Sequence, residues 1–284
     1  MTVSSSSTES IRSAALRQAG TFLALTYLLA LAIALALPHA GIAPLISIAV
    51  PVVAVAVTVL ATVRRGRRRA AWADVGFGLP SWRALVVAVV GPVVIVGLSF
   101  AVAAAVGVVR FAAPDGGIGR AVLNLAAATL TFGVVFLGEE IGWRGFLLLR
   151  LGVVMSGRRA ALAAGACHAL FHLPLLTLTT TYQSAGNRWI VVPMVMATLT
   201  FAGVWYGWLR LRSGSIWPVS LSHSAFNNVM ERAAGSAVAV SPAAMAYTTT
   251  ETGVVTLLIV LVTAVYLLTV RAADFSTARG AGVS

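Results

Sequence analysis

Charge is scarce in this sequence. Asp, Glu, Lys and Arg together make 10% of its 284 residues, against about 25% in a soluble globular chain, while 59% are hydrophobic and the mean hydropathy is +0.95. A water-soluble domain is excluded, and so is a disordered chain, which is poor in apolar side chains. Cysteine is nearly absent: Cys167 stands alone, so there is no disulfide framework. Lysine is missing altogether, and all 20 basic residues are Arg. A net charge of +12 would suit nucleic acid, but the arginines fall between apolar runs. That placement sets membrane topology, and no nucleic-acid partner is expected.

The apolar runs are long enough to cross a bilayer, which takes roughly 20 helical residues. Eight spans are expected, approximately Gly20–Leu37, Gly41–Val63, Ala84–Val109, Ala121–Leu149, Ala160–Leu178, Trp189–Leu209, Ser215–Met230 and Gly253–Val270. The expected fold is an all-α, polytopic membrane bundle over residues 20–270, with its core at 121–230 and tails at 1–19 and 271–284. The first run is too long for a signal peptide and reads as a retained helix. With the N-terminus in the cytoplasm, fifteen arginines fall on the cytoplasmic side, including Arg64, Arg65, Arg67, Arg68 and Arg69, and Arg110, Arg120, Arg188 and Arg232 on the other. The positive-inside rule therefore expects both termini in the cytoplasm of a multi-pass cell-membrane protein. Trp72, Trp82, Trp189, Trp205 and Trp208 lie near the expected span ends, where interfacial aromatics belong.

Against this background a few polar residues stand out. The fourth span holds Glu139, Glu140 and Arg144, the fifth His168 and His172, and the seventh His223, Asn227 and Asn228. A charged residue at the bilayer centre costs about 2.5–3.5 kcal/mol on insertion scales, an expense that packing does not explain. Counted from the Arg that anchors each span, Glu140, His172 and His223 all lie about 15–20 Å deep at 1.5 Å per residue. Residues four apart share a helix face, so Glu140 pairs with Arg144, His168 with His172, and His223 with Asn227. Three polar pairs at one depth predict one chamber with a carboxylate available as general base. Gly138 and Gly142 form a small-xxx-small pattern for close helix approach, Cys167 reads as a structural thiol, and Pro174 either widens the fifth helix or ends it.

Glu139-Glu140-Ile-Gly-Trp-Arg144-Gly, the His172-Leu-Pro174 run, and Gly214-Ser-Ile-Trp-Pro followed by His223-Ser-Ala-Phe-Asn227-Asn228 together resemble the CAAX protease and bacteriocin-processing family, also called Abi proteins. These are intramembrane endopeptidases with a core of transmembrane helices. The resemblance implies that Glu139 and Glu140 supply the catalytic carboxylate, with Glu139 as base. It further implies that Arg144 positions them, that His172 shares the water, and that His223 and Asn227 hold the oxyanion. One departure stands out: the family's second motif reads Phe-x-x-x-His, and His168 takes the Phe position here.

The implied activity is cleavage of a membrane-embedded or lipidated peptide or protein by activated water. The cofactor stays open, because two His four apart beside carboxylates also suit Zn²⁺, although no His-Glu-x-x-His is present. Two other classes remain: a noncatalytic membrane scaffold or bacteriocin-immunity protein, and a proton-coupled transporter. The transporter would usually show two related halves, and no second Glu-Glu-x-x-x-Arg exists.

Overall fold

A computed structural model describes residues 5–114, 116–180 and 185–276 of the chain. Apart from two short strands and the connecting turns and loops, the described residues are helical. In order they form α1 (Ser5–Ala36), α2 (Ala43–Thr62), α3 (Arg68–Ala73), α4 (Trp82–Ala105), β1 (Val109–Phe111) and α5 (Gly117–Val135). Then come α6 (Leu137–Glu140), a π-helical segment (Ile141–Leu147), α7 (Leu148–Val154), α8 (Gly157–Leu178), α9 (Arg188–Ser213), α10 (Trp217–Ser236), β2 (Ala237–Ala239), α11 (Pro242–Thr248) and α12 (Val254–Thr269).

Six helices among the described residues are long and apolar enough to cross a membrane. Two of the eight expected spans fall short of that standard for different reasons. α10 has 20 residues but carries four Ser, two Asn and one each of His, Glu and Arg, so its composition is too polar. α12 is apolar but has 16 residues, which rise about 24 Å against a core of about 30 Å. α1 begins at Ser5, in a segment expected to be a tail, because Ile11-Arg-Ser-Ala-Ala-Leu16 is composed largely of good helix formers; residues 1–4 and 277–284 lie outside the described residues. The third span stops at Ala105, short of the expected Val109, where Gly107 takes a left-handed φ of 77° and turns the chain into β1. β1 pairs antiparallel with β2 and joins the end of α4 to the end of α10.

Close helix crossings hold the bundle. At the α8–α9 crossing, Gly165 meets Gly203 backbone to backbone, and Gly207 lies on Ala161. These are small residues four apart on both helices, as packing in lipid favours. The Gly138 and Gly142 pattern does the same work against α2: a methyl group at Gly138 would strike the Ile48 carbonyl, and one at Gly142 would strike Pro51 and Phe22.

Polar contacts then seat α10. The Ser220 hydroxyl donates to the Gly133 carbonyl, the Ser224 hydroxyl to the Thr129 carbonyl at 2.8 Å, and Trp205 Nε1 to Ser222 Oγ at 2.9 Å. Trp205 therefore packs between helices as well as lying near the expected span end. Its ring also lies against Gly91 of α4.

The arginines mark one end of the bundle. Arg150 and Arg210 converge on Asp74, Arg12 donates to the Val154 carbonyl, and Arg158 donates to the Leu268 carbonyl. Just after α12, Asp274 Oδ2 accepts from Trp208, Arg212 and Arg271, each at 2.9 Å, and ties the end of α12 to the end of α9.

Candidate active site

The fourth expected span is not one regular helix. It breaks at Phe136 and then passes through the π-helical segment that contains Trp143 and Arg144. A π segment bonds i to i+5, shifts the register of everything after it, and occurs often at functional sites. Glu139 and Glu140 end α6 immediately before it, so the wider turn begins at the carboxylates.

Five helical elements converge there. Arg144 is fully buried, and its Nη1 lies 3.1 Å from both carboxylate oxygens of Glu140 and 3.0 Å from His168 Nδ1. Its guanidinium also sits over the Tyr206 ring, 4.9 Å from the centroid, a cation–π contact. Gly203 leaves the room for it, since a side chain there would crowd Arg144 Nη2. His223 Nδ1 donates to Glu140 Oε1 at 2.7 Å, and its ring stacks on Phe136 at 4.3 Å between centroids. Glu140, 0% exposed, is thus held by a cation from its own helix and an imidazole from α10.

Glu139 is held differently. His168 Nε2 lies 2.8 Å from Glu139 Oε2. Arginine can only donate, so His168 Nδ1 must present its lone pair to Arg144, and the single ring proton sits on Nε2. His168 is therefore a neutral Nε2–H tautomer that donates to the Glu139 carboxylate. Stacking on Trp143, 5.1 Å between centroids, fixes its plane. The aromatic shape expected of Phe at this position is kept, and a donor and an acceptor are added.

The predicted site residues are placed unequally. Glu139, Glu140, Arg144 and His223 form one buried network together with His168. His172 is half-buried one turn further along α8, its Nδ1 donating to the His168 carbonyl at 3.1 Å. Asn227 is exposed and lines a cavity of about 750 Å³ together with His172 and His223. Asn228 faces the protein and donates to Ser224. α8 continues through Pro174 to Leu178, so the proline does not end the helix. Sequence reasoning missed Trp143, Tyr206, Ser220 and Ser224, which hold the ring planes and seat α10; a Ser or aromatic residue in a membrane helix is too ordinary to stand out.

Glu139, His168 and His172 have ligand atoms within 4.8 Å of one another, the one such grouping among the described residues. As arranged, this donor set does not fit zinc. A neutral imidazole has one lone pair, and Arg144 takes that of His168, which leaves Glu139 and His172, fewer than the three protein ligands of a catalytic zinc site.

No curated protein matches the chain. Residues 120–230, the stretch that builds the chamber, match the family model described as type II CAAX prenyl endopeptidase Rce1-like. Over those residues the chain is similar to that family of CAAX prenyl endopeptidases.

Proposed function

We propose that this chain is an intramembrane endopeptidase in which Glu139 is the general base. The observation that carries the reading is the pairing of two buried carboxylates with different partners: Glu140 is tied up by Arg144 and His223, whereas Glu139 is met by one neutral N–H from His168. Glu139 Oε1 takes no hydrogen bond among the described residues and is left to accept a proton from water. A water between Glu139 and His172 would attack the scissile carbonyl, with Glu139 taking its proton and returning it to the leaving amine.

His223 and Asn227, one turn apart on α10 and both on the cavity wall, would receive the developing oxyanion. His223 Nδ1 already donates to Glu140, so donation from Nε2 requires a ring that carries both protons, with the Glu140 carboxylate as its counterion. Glu140 and Arg144 hold the frame, and His168 orients the base. No step is assigned to a metal. The bilayer arrangement is the one expected from the arginines: the helices cross the cell membrane with both termini in the cytoplasm. The transporter and scaffold readings assign no role to the unequal partners of the two glutamates.

The test is a reconstituted protein with a membrane-anchored peptide library. Glu139→Gln and His172→Ala should abolish cleavage while leaving the detergent-solubilised protein folded. Full turnover by either variant would refute the assignment.

A further inference from the structure

The cavity extends from the active site toward one end of the bundle. Starting from His172 and His223, its wall runs along the later part of α8 to Thr179, the early part of α9 from Arg188, and the later part of α10 to Glu231 and Ala234, and residues of α11 and Glu251 line it beyond them. Each of these stretches points away from the arginine-gathered end. α8 starts at Gly157 beside Arg158 and Arg159, α9 finishes at Arg210 and Arg212, and α10 starts just after them. The mouth therefore lies at the end that carries Arg110, Arg188 and Arg232, next to the β1–β2 pair, where Arg232 donates to the Asn124 carbonyl and Arg188 to the Thr177 carbonyl.

The arginine imbalance gives that end a side. Short loops rich in Arg stay in the cytoplasm, and the first such loop alone carries Arg64, Arg65, Arg67, Arg68 and Arg69. Combining the two, we infer that the catalytic cavity opens to the extracytoplasmic face, and that its substrate is an exported or membrane-anchored polypeptide whose scissile segment enters from outside the cell.

The cavity's chemistry agrees with such a guest. Val191, Val195, Leu199, Phe226 and Met230 give apolar walls for side chains of a segment leaving the membrane, while Glu231 and Arg188 at the mouth meet the hydrated chain. A prenylated protein made and kept in the cytoplasm would meet the arginine-lined end, opposite this cavity. The inference rests on the protease reading for its substrate but not for its geometry, and the two can be tested apart.

In a Cys167→Ser background, single cysteines are introduced as Glu231→Cys at the mouth and Arg65→Cys at the opposite end, both exposed positions. Intact cells are then treated with a membrane-impermeant maleimide. Glu231→Cys should label in intact cells, and Arg65→Cys only after permeabilisation; the reverse pattern would overturn the inference. In parallel, a bilayer-anchored fluorogenic peptide that cannot cross the membrane is offered to right-side-out and inverted vesicles. Cleavage at least tenfold faster in right-side-out vesicles is expected, and faster cleavage in inverted vesicles would overturn it. Labelling as expected with no cleavage in either orientation would strike the protease reading and leave the side of the mouth established.

Discussion

His168→Phe restores the residue that the family motif carries and should nonetheless impair this protein. In the native arrangement His168 donates to Glu139 at 2.8 Å and accepts from Arg144 at 3.0 Å, with 1% of its surface exposed. Phenylalanine keeps the stack on Trp143 but removes both bonds. A hydrogen bond to a charged group is worth about 1.5–3 kcal/mol. If that energy orients the base in the transition state, each 1.36 kcal/mol is a factor of ten, and kcat should fall about 10- to 150-fold. KM should change little, because His168 does not line the cavity. His168→Gln supplies a donor and an acceptor on one planar amide and should recover most of the lost rate, a rescue that a purely structural role would not give. The assay is steady-state cleavage of an anchored peptide in proteoliposomes, with thermal melting in detergent as the folding control. Wild-type kcat in the Phe variant, with Glu139→Gln inactive in the same preparation, would refute the argument.

Three further outcomes follow from the same geometry. Arg144→Lys should lose more than tenfold in kcat, because one ammonium cannot keep the planar contacts to Glu140 and His168 while lying on Tyr206; the measurement is the same cleavage assay, and unchanged turnover would contradict it. Ser220→Ala and Ser224→Ala each remove a bond between α10 and α5 and should lower stability by about 0.6 kcal/mol or somewhat more, read as a fall in melting temperature of the solubilised protein. Asp274 lies outside the spans, and donation from Trp208 first, then from Arg271, with Arg212 beside it, holds its carboxyl below the usual range. Its folded form is therefore favoured above the unfolded value of about 3.9 and loses that advantage as pH falls through the folded value. Asp274→Asn should melt lower than the wild type at pH 7, and the gap should close in acid.

Much of the site was legible because charge is so rare in this chain. Glu139, Glu140 and Arg144 stood out on cost alone, and counting depth from the flanking arginines brought His172 and His223 to the same level. The structure then gathers His223, His168 and the two glutamates into one network. Hidden from the sequence were the π segment, which changes the helical register through Arg144, and the role of His168, which depends on a lone pair facing Arg144 and on no spacing rule. Six of the eight expected spans are long, apolar helices among the described residues, and the other two fall where composition and length compete: α10 is buried by its Ser and His contacts rather than by apolarity, and α12 is short. The packing role of Trp205 was hidden for a related reason, since counting residues to a span end does not reveal that Ser222 waits across the helix interface.

The central claim is that Glu139 activates water without a metal. The most direct measurement is mass-spectrometric detection of new peptide termini in proteoliposomes prepared with and without a strong chelator, comparing wild type with Glu139→Gln. The account predicts the same cleavage products from wild type in both conditions and none from Glu139→Gln. Products that vanish on chelation and return with zinc, or that persist in Glu139→Gln, would contradict it.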